Sequence, residues 1–123
     1  MPAARIRALR RGCGVLCAAA LAAAVGGCGA TPAPTGAVAA TCRQIGAVLG
    51  DGPDPSADPV GYAEAQVLPL GQITTSDAGL RQALRALASA YQQFFNTGGG
   101  GAAAQAVSRA AAALDAICPG VAS

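Results

Sequence analysis

Few side chains in this sequence can do chemistry, and one kind is missing altogether. The chain has no histidine, the residue that most often serves as a general base near neutral pH and as a metal ligand. Asp51, Asp54 and Asp58 cluster around Pro53 and Pro55. A calcium loop of the EF-hand kind needs acids at alternate positions and a later bidentate glutamate. This spacing supplies neither, so the cluster reads as a turn with solvated caps. Glu64 is the sole glutamate; without a carboxylate partner it fits a solvated helix face better than acid–base work. The serines have no histidine to activate them, and Gly98 to Gly101 lacks the lysine and hydroxyl residue of a phosphate-binding loop. No catalytic constellation, metal site or cofactor site emerges, and the chain reads as a non-enzyme. Tyr62 and Phe95 stand out as candidates for a ligand or partner surface, because helical spacing already directs Tyr91 and Phe94 to a core.

Composition narrows the setting. A chain of 123 residues holds one small domain. Its 53% hydrophobic content includes 33 alanines and only 3% aromatic residues, so large apolar side chains are scarce. A core this thin calls for a staple. Charge is divided along the chain: Arg5, Arg7, Arg10 and Arg11 lie in the first eleven residues, and all the acids lie after Cys28. Past Cys28, four arginines face six acids, a net of −2. No lysine is present, and this balance offers no electrostatic footprint for nucleic acid.

The N-terminal arginines precede an apolar run of 13 residues from Cys13 to Val25, the order of an export signal. The run is shorter than the ~20 residues needed to span a bilayer. It ends in Val25-Gly26-Gly27-Cys28, which resembles the bacterial lipobox. The resemblance implies a lipoprotein: residues 1–27 are a cleaved signal peptide, and Cys28 receives diacylglycerol. The expected location is the extracytoplasmic face of the cell membrane. Two acyl chains suffice to hold a protein there without a transmembrane segment. Residues 28–36 carry Pro32 and Pro34 with small neighbours and read as a flexible tether.

Residues 37–123 read as an all-α domain, a small bundle of three to four helices. Val38, Cys42, Ile45 and Leu49 recur at helical spacing up to Gly50; Leu80, Leu84, Leu87, Tyr91 and Phe94 form the strongest stripe. Ser76 and Asp77 are its candidate N-caps, and Asp77 stands four residues before Arg81, as a helical ion pair would. A last helix from about Ala102 sets Val107, Ala111, Leu114 and Cys118 on one face. A shorter helix starts at Asp58-Pro59 and is expected to kink or end near Pro69. The glycines 98 to 101 are expected to be a flexible link. With Cys13 and Cys17 in the leader and Cys28 taken by lipid, Cys42 and Cys118 remain as one pair, expected to be disulfide-bonded in an oxidising compartment. The whole is similar to the small, alanine-rich, two-cysteine helical lipoproteins of high-GC Gram-positive bacteria. The expected role is a lipid-anchored, non-enzymatic interaction module that meets an envelope protein through a helix face or the loop from Asp51 to Gly61. The alternative is a carrier of a small apolar ligand held between the helices.

Overall fold

The computed structural model describes residues 33–123; the leader, Cys28 and most of the tether lie outside the described residues. Four helices and no strand occur among the described residues: α1 Gly36–Leu49, α2 Pro59–Gln72, α3 Ala78–Asn96 and α4 Gly101–Asp115. The domain is thus an all-α bundle, closed by a Cys42–Cys118 disulfide.

α3 is the centre of the bundle, and its sequence explains why. Leu80, Ala83, Leu84, Leu87, Ala90 and Tyr91 are all buried, a stripe at intervals of three and four wide enough to face two neighbours. α3 packs against α2 on one side and α4 on the other. Ala103, Ala110 and Leu114 of α4 are buried against it, and the small alanines let the two backbones approach. The chain runs up and down. Val60 in the first turn of α2 lies beside Gly99 just after α3, and Ile117 just after α4 lies beside Gly79 in the first turn of α3.

Three local expectations are corrected. α2 is not the shorter helix expected: it runs three residues past Pro69 to Gln72 and is as long as α1. Pro69 and Ala65, the residue whose carbonyl loses its donor, are both on the exposed side, where water can replace the missing amide. Leu70 at 1% exposure and Ile73 at 9% then hold the final turn in the core. The Asp77–Arg81 pair does not form. Asp77 Oδ1 accepts the Leu80 N–H at 2.7 Å as the N-cap, while Arg81 Nη1 donates to the Thr75 carbonyl at 3.1 Å. The glycine run is a defined helix stop. Gly98 N–H donates to the Phe95 carbonyl at 3.1 Å and Gly99 N–H to the Phe94 carbonyl at 2.9 Å, the pairing of a Schellman motif. Gly101 already belongs to α4.

α1 is attached differently from the other three. Its only extensive neighbour is α2, and that contact is slight. Cys42 and Ile45 are its buried residues. Three bonds fix it: the disulfide to Cys118, with Cα atoms 5.5 Å apart, and two hydrogen bonds from α2. Tyr62 Oη donates to the Leu49 carbonyl at 2.7 Å, and Gln66 Nε2 donates to the Asp51 carbonyl at 2.7 Å.

Two measurements check this account. Replacing Cys42 and Cys118 together by alanine is expected to cost roughly 2 to 4 kcal/mol in denaturant unfolding, with amide exchange in α1 accelerating more than in α3. Gly99→Ala should destabilise by about 1 kcal/mol or more in the same assay. Gly99 has φ +87°, and an added Cβ would come within 3.2 Å of the Phe94 ring.

Candidate functional site

The loop between α1 and α2 builds one wall of an apolar cleft. Its three aspartates each hold backbone in place. Asp51 Oδ1 accepts the Gly52 N–H at 3.0 Å. Asp54 Oδ1 accepts the Ser56 N–H at 2.8 Å and the Ser56 hydroxyl at 2.6 Å, and these bonds hold its carboxyl below the usual carboxylate range. Asp58 Oδ1 accepts the Gly61 N–H at 2.9 Å as the N-cap of α2. Any Cβ at residue 61 would collide with the Asp58 carboxylate, so glycine there allows the cap to close. Pro59 follows at the first helical position, where its missing amide costs nothing.

This turn sets Pro55 and Pro59 above the ring of Tyr62. Together with Tyr91 and Phe94 of α3 and Val107 of α4 they line a cleft of about 170 Å³. The Tyr62 and Tyr91 rings meet edge to face, with centroids 5.8 Å apart and planes at 82°, a favoured aromatic geometry. A second depression of about 450 Å³ shares Pro55, Tyr62 and Tyr91 and is bounded on its far side by Leu49 and Val121. The tyrosine pair is therefore a ridge between two hollows. All three loop carboxylates are exposed on the same end of the molecule.

Of the two surface candidates, Tyr62 stands in the cleft and Phe95 does not. Phe95 is half-buried elsewhere on α3, and Phe94 lines the cleft in its place. Glu64 lies exposed on α2. Cys42 and Cys118 are joined and buried, at 6% and 1% exposure, and Cys28 lies outside the described residues. Sequence reasoning missed Gln66, which is 2% exposed. Its position between Ala63 and Leu70 on the buried stripe of α2 was the available signal. No group of three or more candidate metal-holding side chains occurs among the described residues. None of the described helices is long and apolar enough to cross a membrane.

No protein-family model matches the chain, and neither the curated proteins nor the solved structures hold a significant match.

Burial raises the pKa of both phenols above the ordinary tyrosine value of 10.0, and Tyr91 is pushed furthest, with the neighbouring Tyr62 adding to the effect. The protonated forms are the ones the fold accommodates. The stability that this contributes is fully present below pH about 10 and is lost as pH rises from there toward the raised folded values. Ultraviolet titration of phenolate should therefore show both tyrosines ionising late. Unfolding free energy should fall through the same alkaline window, and less so in a Tyr91→Phe variant.

Proposed function

We propose that this protein is a lipid-anchored, extracytoplasmic interaction module that docks an envelope protein in the cleft between Pro55, Tyr62 and Phe94. The observation that carries the reading is the cleft's size and lining. Sites for drug-sized ligands run to roughly 300–1,000 Å³, whereas this cleft of about 170 Å³ is closer to the ~150 Å³ cavity that accepts a single benzene ring. It fits one apolar side chain better than a lipid tail. Aromatic rings with fixed orientation make good anchors for such a side chain, since little entropy is lost on binding.

Asp51, Asp54 and Asp58 supply the polar rim. They favour a partner segment in which an apolar anchor is flanked by arginine or lysine. Diacylglycerol on Cys28 confines the encounter to the membrane surface, and the tether of residues 28–36 lets the domain orient. At this end of the molecule the carrier reading would need a larger enclosed space, and the adjoining hollow is half polar and open.

The test uses the full chain from its own host. Native mass spectrometry is expected to find the leader removed, lipid mass on Cys28 and a second protein bound. A full-length, unlipidated species overturns the anchor, and a bound small apolar molecule in place of a protein substitutes the carrier reading. In the variant carrying Asp51→Asn, Asp54→Asn and Asp58→Asn the caps persist, because asparagine caps as well as aspartate. Partner affinity should nonetheless fall about tenfold, as for the loss of ~1.4 kcal/mol, and its salt dependence should flatten. Unchanged affinity would remove the acidic rim from the account.

A further inference from the structure

We propose that the groove between the end of α2 and the first half of α3 binds an anionic amphiphile, its phosphate or carboxylate head held by Arg81 and Arg85. The site is separate from the tyrosine cleft and shares none of its residues. The groove has a volume of about 400 Å³ and is lined by Leu70, Ile73, Leu84 and Ala88 with Thr74, Thr75 and the two arginines. That volume lies within the range of small-molecule sites, unlike the cleft at the other end.

Its chemistry is two-sided. Leu70, Ile73 and Leu84 belong to the core and close the groove from below, at 1%, 9% and 3% exposure. Arg81 and Arg85 stand four residues apart on α3, so their guanidinium groups rise on the same face. A like-charge pair at this spacing disfavours the helix, and no carboxylate lines the groove to offset it. The nearest acid in sequence, Asp77, is occupied by the Leu80 N–H. Arg81 is held in place by its bond to the Thr75 carbonyl, which leaves the remaining donors of its fork free. Guanidinium groups pair with phosphate and carboxylate through parallel hydrogen bonds. An anion set between the two arginines removes their mutual repulsion, and a short apolar portion lies along the half-buried Ala88 beside them.

The up-and-down topology places this groove toward the end of the bundle at which α1 begins. The tether enters there, so on a membrane-anchored protein the amphiphile can be a phospholipid of the bilayer itself. A soluble alkyl phosphate presents the same chemistry, and the two sources are separable.

The experiment follows methyl and guanidinium NMR signals of the full chain, held in discs of zwitterionic lipid. Hexyl phosphate is titrated in and compared with inorganic phosphate and with hexanol. Saturable shifts at Ile73, Leu84 and Arg85 are expected with hexyl phosphate, at concentrations well below those needed for either half-molecule. Arg85→Gln, which removes no hydrogen bond of the fold, should weaken hexyl phosphate about tenfold with the melting temperature unchanged. Arg109→Gln, outside the groove, should leave the affinity as it was. If discs containing phosphatidylglycerol produce the same shifts unaided, the source is the membrane; if only hexyl phosphate does, it is a soluble amphiphile. Shifts that fail to saturate, that are matched by inorganic phosphate alone, or that survive Arg85→Gln would overturn the proposal.

Discussion

The bond between Cys42 and Cys118 is the constraint on which the rest of this small bundle depends. α2, α3 and α4 hold one another through broad helix contacts, but α1 has little such surface. A chain rich in alanine cannot add more. Joining residues separated by 76 positions removes loop-closure entropy from the unfolded chain, ~4 kcal/mol in the chain-entropy model, and it fastens the first helix to the turn after the last. The sulfur atoms are buried with Ile45 and Leu114, so the bridge also fills core volume that large side chains would otherwise occupy. Once α1 is fixed, the Leu49 carbonyl is in place for the Tyr62 hydroxyl, and the wall of the larger hollow exists. The Tyr62 hydroxyl thus bonds to a helix whose place depends on a covalent bond at its middle.

Much of this was legible in the residues themselves. The stripe along α3, the caps at Asp58 and Asp77 and the leftover cysteine pair all carry signals that act within a few residues or through simple parity. What escaped depended on tertiary surroundings. Pro69 ends a helix in isolation, yet here its deficit faces water while Leu70 and Ile73 anchor the turn. The Asp77–Arg81 spacing suits an ion pair, but the carboxylate caps the Leu80 N–H and the guanidinium reaches the Thr75 carbonyl instead. Four glycines suggest looseness, whereas two of them supply the positive φ that a Schellman stop requires. Phe94 continues the stripe of α3, and it is this residue and not its neighbour Phe95 that lines the cleft with Tyr62. Gln66 was overlooked because polar side chains are seldom buried unless bonded, and its partner lies in a loop 15 residues away.

One end of the described domain is acidic and the other is mixed. Asp51, Asp54 and Asp58 gather at the end where α2 begins, whereas Arg81 and Arg85 share the end where α1 begins with Asp77 and Asp115. Long-range fields orient a tethered molecule even when individual surface charges contribute little to stability. The acidic end, which carries the tyrosine cleft, is the one on which such a field acts here.

α3 carries both sites on one rigid element. Arg85 and Tyr91 are six residues apart, a rise of roughly 9 Å, and the groove and the cleft have no lining residue in common. Coupling between two sites needs an element with two discrete arrangements that both ligands bias. A single well-packed helix, buried at Leu80, Leu84 and Leu87, does not provide one. The helix therefore acts as a spacer: it fixes the distance between the groove and the cleft.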